Sequence, residues 1–328
     1  MRILHINDVA NVASTLVAGL NRLGHQAELR RLRLPASRRG TALKILALPA
    51  RLAEWAAVNR EVRAGHYDVV HIHYAYLGWL GILGRYPYLL HCHGTDVRQG
   101  LYDPLRRPLV IQSLRRARRV FFSTPDLAQH VRPIRPEAIF LPNPIATDHF
   151  RPLAKGEEGP PRILLISQLS PVKKVCVAFE ALRQVLSAHP GIQVTALDYG
   201  PERALYHGTP GVAFVPPVPH EAMPRLINDH DIIIGQFGIG SMGTAELESM
   251  ACGKPVICHF TYGDWYPEPP PLFATDQPAQ VAAYLAALLE DPALRRQRGE
   301  AGRAWVERYH SYLSVAQRLA EIYAADLC

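Results

Sequence analysis

The feature that most constrains this chain is a strand–helix alternation that runs twice, interrupted once by a segment without any period. RILHIN (2–7) opens as a short buried strand, and the apolar spacing of STLVAGLNRL (14–23) fits a helix ending at Gly24. A strand near QAELR and a long helical stretch around 43–64, containing Pro49, come next. DVVHIH (68–73), YPYLLHCH (86–93) and RVFFS (119–123) read as further strands with helices between them. In STPDLAQHV, Ser123 or Thr124 is positioned to cap a helix whose first turn contains Pro125. LPNPIATDHFRPLAKGEEGPP (141–161), rich in Pro, Gly and charge, reads as a linker. RILLIS (162–167) then restarts the alternation. Helix 175–187, strands IQVTAL (192–197) and VAFV (212–215), and a helix near 220–228 follow. Strand DIIIG (231–235), helix 243–252, strand KPVIC (254–258) and helices over 278–326 complete the chain. Repeated alternation of this kind predicts an α/β fold of two doubly wound, Rossmann-like domains, divided near 150/151. In open parallel sheets, ligands gather at the C-terminal strand edge.

At 328 residues the chain is long for one core and comfortable for two domains. No stretch approaches the roughly 20 unbroken apolar residues of a membrane helix. MRILHIND has no long apolar run before a small-residue cleavage site, so the chain is expected in the cytoplasm. Its five cysteines are scattered, odd in number and without a CxxC pair, which points to reduced thiols rather than to disulfides or a zinc finger. The net charge of +7 is uneven: residues 1–150 carry +11 and residues 151–328 carry −4. The basic residues cluster in RRLRLPASRR (30–39) and RRPLVIQSLRRARR (106–119). Arg interleaved with Leu, Ile and Val suits an anionic membrane surface or a lipid-phosphate acceptor, although Arg-rich helices also simply solvate a surface. No nucleic-acid-binding signature accompanies the charge, and nucleic acid is not expected as a partner.

The segment that speaks most directly of chemistry is GIGSMGTAELESMACGKPVI (238–257), a glycine-rich loop running into a helix start, then a turn and a buried strand. Loop amides at a helix N-terminus favour an anion such as a diphosphate. Gly238, Gly240 and Gly243 let backbone approach a ligand closely. AELESMACGKPVI resembles the nucleotide-sugar signature of the family 4 glycosyltransferases. Other landmarks of that family fall in the same order: HGTD (93–96), LPNPIATDHFRP (141–152), SQLSPVKK (167–174), LDYGPE (197–202) and WVERYHS (305–311). The resemblance covers nearly the whole chain. It implies the GT-B architecture, with an interdomain cleft, an acceptor-binding domain over 1–150, a nucleotide-sugar-binding domain over 151–308, and a helix over 309–328 crossing back to the first domain.

It also implies roles. Glu248 matches the carboxylate that holds the ribose hydroxyls, and Glu246, about 200° around the helix, cannot share that role. His93 matches the histidine that contacts the donor sugar, with Asp96 available to orient it or to meet the acceptor. Lys173 matches a cation on the donor diphosphate, stabilised further by amides near Gly243, Thr244 and Ala245. The implied reaction is a retaining transfer from a nucleotide-diphosphate sugar, with no cofactor and no metal, to a glycan, lipid-linked or small-molecule acceptor.

Departures from the family pattern are as informative. Gly240 stands where the first of two paired glutamates belongs, Gln168 where an Arg is usual, and Lys174 where a Gly is usual. The loop NDVANVAS (7–14) lacks the common paired glycines. These changes leave open a second reading, a degenerate transferase kept as a nucleotide-sugar-binding or scaffold subunit, and a third, a sugar-nucleotide epimerase. The pairs His71/His73 and His91/His93 each share a strand face, but no further ligand spacing completes a metal set. They are expected to be cleft or structural histidines.

Overall fold

The computed structural model describes residues 1–33, 48–154 and 159–327. Strands β1 (Arg2–Ile6), β2 (Gln26–Arg30), β3 (Val69–His73), β4 (Leu89–Cys92), β5 (Arg119–Phe122) and β6 (Ile139–Phe140) form one parallel sheet, in the order β2-β1-β3-β4-β5-β6. A second parallel sheet contains β7 (Arg162–Leu165), β8 (Gln193–Leu197), β9 (Val212–Val215), β10 (Ile232–Ile234), β11 (Val256–Cys258) and β12 (Phe273–Ala274). Its order is β12-β11-β10-β7-β8-β9. Strand order reverses between β1 and β3 in the first sheet and between β7 and β10 in the second. In doubly wound sheets such a reversal opens a crevice at the C-terminal strand ends, where ligands bind. Both halves are therefore Rossmann-like.

Two compact units result, Met1–Pro144 with Tyr312–Cys328, and Ile145–Ser311. Their limits fall at 144/145 and 311/312 rather than at the 150/151 and 308/309 read from the sequence. Packing explains the difference. Ile145 and Phe150 are buried in the core of the second unit. The Ile145 amide also donates to the His310 carbonyl (2.7 Å), and Ile145 bridges to Ser311.

The central strands are buried on both faces because both sheet faces are covered; they are apolar in the second sheet, whereas in the first sheet His5, His71, His73 and His91 occupy buried positions. In the first unit, helix Val12–Arg22 lays Leu16 and Leu20 against Val315, Leu319 and Tyr323 of the C-terminal helix Tyr312–Leu327. Gly19 permits the close crossing, since a Cβ there would lie 2.7 Å from both the Ala316 Cβ and the Tyr312 carbonyl oxygen. In the second unit, alternate residues of β7 feed two cores, Ile163 and Leu165 one, Leu164 the other.

Several local expectations change. Neither Ser123 nor Thr124 supplies a cap: Thr124 precedes a 3-10 turn, Pro125–Leu127, without a capping bond, and its hydroxyl instead accepts from Arg98. The helix Leu48–Gly65 carries Pro49 in its first turn, where no amide is needed. Residues 43–47 of the expected stretch, 34–39 of the first basic cluster and 155–158 of the linker lie outside the described residues. The two-residue strands β6 and β12 were not legible as strands. No helix among the described residues is long and apolar enough to cross a membrane.

Candidate functional site

In the C-terminal unit, the chain after β7 and the chain after β10 leave the sheet side by side at the strand reversal, and hydrogen bonds hold the two loops together. The Phe237 amide donates to the Lys173 carbonyl (2.9 Å). Gly238 packs so closely on Val172 that any Cβ would collide with the Val172 carbonyl. Glu246, only 2% exposed, fastens the glycine loop from within. Its Oε1 accepts from the Gln236 amide (3.0 Å) and its Oε2 from the Gly243 amide (2.9 Å). The Gln236 side chain continues the lock, accepting from the Ile239 amide (3.0 Å) and donating to the Ser241 carbonyl. A third loop joins these two: the Leu169 amide donates to the Tyr199 carbonyl (2.9 Å), and the Leu169 carbonyl accepts from the Glu202 amide (3.0 Å).

Every donor-site residue read from the C-terminal half lies on these loops or on the helix Thr244–Ala251. Lys173 is half-buried, Lys174 exposed and Gln168 half-buried. The Gly243 amide is committed to Glu246, so the amides of Thr244 and Ala245 are the ones that open the helix. Glu248, on the other side of the helix, is buried, and its Oε1 lies 2.7 Å from His220 Nε2. Burial pushes the Glu248 carboxyl above its ordinary value, and His220 opposes that shift. The His220 ring rests 5.1 Å from that of Phe150. His220 was missed in the sequence, where nothing ties position 220 to 248.

Two of the departures have a backbone meaning. Gly240 has φ +73°, a left-handed conformation that a glutamate would occupy at a cost. A Cβ there would also press on Thr261 Oγ1 at 3.0 Å. Lys174 has φ +46° and ψ +46°, so the glycine usual at that position is the unstrained choice. Ser170 and Ser241 hold buried hydroxyls without a partner beside these loops.

In the N-terminal unit, both carboxylate oxygens of Asp96 bind backbone amides. They accept from Gly94 (2.7 Å), Ala75 (2.8 Å), His93 (3.1 Å) and Val97 (3.1 Å). Burial raises the Asp96 carboxyl and these amides pull it back. The HGTD turn is thereby fixed, with His93 at the end of β4. Strand register gathers four further imidazoles around His93. His5 pairs with His71 across β1 and β3, and His73 with His91 across β3 and β4. His5, His71, His73 and His91 are fully buried, while His93 is partly exposed.

Burial lowers all five histidines, with His5 and His93 brought to about 3 against a small opposing pull from Asp8. All five are therefore neutral at neutral pH, the form that ligates metals. The ring nitrogens of His5, His71 and His73, and those of His73, His91 and His93, lie within 4.8 Å of one another. His5 was not expected in this group, because single-strand spacing does not tell which strands are neighbours.

Residues 9–144 match the family model described as a glycosyl transferase 4-like domain, and residues 148–305 match that of the glycosyl transferases group 1. A D-inositol 3-phosphate glycosyltransferase of Acidothermus cellulolyticus is 27% identical over 80% of this chain and 69% of its own length. A phosphatidyl-myo-inositol mannosyltransferase of Mycobacterium tuberculosis is 25% identical over 84% of this chain and 79% of its own. Among solved structures, a sucrose-phosphate synthase from Thermosynechococcus elongatus superposes with a TM-score of 0.75 at 18% identity, covering 99% of both chains. Anabaena HepE, in complex with UDP and glucose, superposes with a TM-score of 0.73 at 16% identity, covering 99% of this chain and 100% of its own.

Proposed function

Because this chain belongs to the family 4 glycosyltransferases and is a nucleotide-sugar-dependent enzyme, we propose that its C-terminal unit holds a UDP-sugar through Glu248, Lys173 and the open start of helix Thr244–Ala251. The observation that carries this reading is the division of labour on that helix. Glu246 is spent inside the fold on two loop amides, whereas Glu248 bonds the His220 side chain, a partner it can exchange for ribose hydroxyls. The diphosphate lies at the loops after β7 and β10. As the sugar–phosphate bond breaks, negative charge grows on the leaving diphosphate, and Lys173, Lys174 and the amides of Thr244 and Ala245 stabilise it. Gln168 contributes a neutral contact where an Arg would form a charged, two-pronged one, so the grip on phosphate is weaker. Protein cations carry the charge, and the reaction is assigned no metal and retention at the anomeric carbon.

The N-terminal unit takes the acceptor, with His93 meeting the sugar and Asp96 orienting His93. UDP in the complex with HepE favours uridine as the base. The inositol phosphate and phosphatidylinositol in the relatives' names favour an acceptor that is an anionic polyol or its lipid-linked form. The surface over 102–118 fits such an acceptor. Leu105 and Tyr102 are 84% and 71% exposed there, among exposed Arg106, Arg107, Arg115, Arg116 and Arg118. We place the enzyme in the cytoplasm, peripherally bound to an anionic membrane through this surface. Salt-sensitive flotation with anionic but not neutral liposomes tests that placement.

The donor reading is tested by thermal shift with UDP, GDP, ADP and TDP on wild type and Glu248→Ala. UDP at 100 times its dissociation constant stabilises by about 2.7 kcal/mol. The expected result is a shift for wild type alone. No shift with any nucleotide sinks the reading. A non-catalytic nucleotide-sugar-binding subunit is the second reading, prompted by Gly240 and Gln168. It predicts nucleotide binding without turnover on any acceptor, and indifference of that binding to loss of His93.

A further inference from the structure

The five-histidine cluster contains more hydrogen bonds than the reaction uses. His93 Nε2 lies 2.9 Å from His73 Nδ1, and His73 Nε2 lies 2.9 Å from His5 Nδ1. His5 Nε2 then meets the Tyr323 hydroxyl at 3.4 Å, and that hydroxyl meets His71 Nδ1 at 2.5 Å. Three imidazoles, a phenol and a fourth imidazole thus form one unbranched chain, from the partly exposed His93 to the C-terminal helix. His91 stacks 4.5 Å from the His93 ring but stands outside the chain, with both nitrogens unpartnered.

A neutral imidazole carries one N–H and one lone pair, so along such a chain every tautomer is set by its neighbour. The direction is decided at Tyr323. Its 2.5 Å bond to His71 suits an O–H donor and is shorter than N–H donors usually make, whereas the 3.4 Å contact with His5 is long for either kind of donor and is the weaker one, left to the hydroxyl's lone pair. Tyr323 therefore donates to His71 Nδ1, leaving His71 Nε2–H as the one unpaired donor at the buried end. The hydroxyl oxygen accepts from His5 Nε2–H. His5 Nδ1 accepts from His73 Nε2–H, and His73 Nδ1 accepts from His93 Nε2–H. The remaining nitrogen of His93, Nδ1, is left as a bare acceptor.

We propose that His73, His5 and Tyr323 are positioning residues that hold His93 as the Nε2–H tautomer, so that it accepts a hydrogen bond from a donor-sugar hydroxyl instead of offering one. The part about the sugar rests on the role given to His93 above; the tautomer does not. An ion shared by His73, His91 and His93 is the competing explanation of the cluster. It would need ring nitrogens that the two 2.9 Å bonds already occupy.

Tyr323→Phe removes the hydroxyl and keeps the ring. His5 Nε2–H then has no acceptor in the core, and moving the proton to Nδ1 reverses every bond as far as His93, which becomes the Nδ1–H tautomer. The experiment is a long-range 1H–15N correlation spectrum of 15N-histidine-labelled protein, with His93 assigned by its loss in His93→Gln. Wild type is expected to show His93 protonated at Nε2, and Tyr323→Phe to show it protonated at Nδ1. A wild-type His93 protonated at Nδ1, or a tautomer unmoved by Tyr323→Phe, overturns the proposal, and the first result stands even where the variant folds poorly. Binding of one equivalent of Zn2+ by EDTA-treated protein, with loss of the His73 and His93 signals, also overturns it in favour of an ion site. Turnover separates the two readings. With the tautomer reversed, kcat is expected to fall at least tenfold with KM for the donor within twofold. A reversed tautomer with unchanged kcat refutes the role of His93 while leaving the chain of hydrogen bonds intact.

Discussion

Glu246 and Glu248 differ by two positions on one short helix, and their surroundings give them opposite tasks. Glu246 accepts two loop amides inside the fold, so Glu246→Ala strands both and should cost about 2–3 kcal/mol, read by urea unfolding. Glu248 is buried with its carboxyl raised. A carboxyl that titrates higher folded than unfolded contributes its full stability at acid pH and loses it as pH rises through the folded value. At pH 7.5, Glu248→Gln should therefore melt no earlier than wild type, yet UDP should no longer raise its Tm. An earlier melt would mean that the charged His220–Glu248 pair supports the fold. Lys174 offers a cleaner trade of stability against function. Its left-handed backbone costs roughly 1–2 kcal/mol, which Lys174→Gly recovers, raising Tm by about 2–8 °C. If the Lys174 charge serves the diphosphate, the same variant binds UDP more weakly, and a calorimetric titration beside the melt separates the two effects.

At the scale of elements, the helix crossing at Gly19 is a tight joint of the N-terminal unit. Gly19→Leu must push against the Ala316 Cβ and the Tyr312 carbonyl. Overpacking of this kind costs about 1–3 kcal/mol, so the urea midpoint should drop while the UDP-induced shift in the C-terminal unit is retained. This joint was beyond sequence reading, because nothing in the periodicity of STLVAGLNRL names the helix it meets. The strands were legible where they were buried on both faces, as in RILLIS and DIIIG, since continuous apolar runs need no partner to be seen. Ile139–Phe140 and Phe273–Ala274 are too short to show a period. The candidate site divides in the same way. Lys173, Glu248 and the glycine loop lie within contiguous motifs and could be found. His220, His5 and Tyr323 reach their partners only through strand order and helix packing, which no local pattern encodes.

For the molecule as a whole, the buried histidines make acid a destabilising condition, and the weakness lies in one unit. His5, His71, His73, His91 and His93 are all held neutral by burial, with His5 and His93 lowered to about 3. Unfolded histidine titrates near 6.5. Below that pH the unfolded chain takes up protons that the folded one refuses, and each such group withdraws about 1.4 kcal/mol of stability per pH unit. Five acting together outrun a typical domain stability of about 5–15 kcal/mol within one to two pH units. The N-terminal unit should therefore unfold near pH 5, with an uptake of about five protons measured by potentiometric titration alongside circular dichroism. The excess positive charge of residues 1–150 pushes in the same direction. His91 gives the control, since both of its nitrogens are buried without partners. His91→Leu removes one refused proton and two unpaired polar atoms, so the acid midpoint should move lower and stability at pH 7.5 should rise. A chain still native at pH 4, or a His91→Leu variant no more acid-resistant than wild type, would mean that the folded cluster accepts protons.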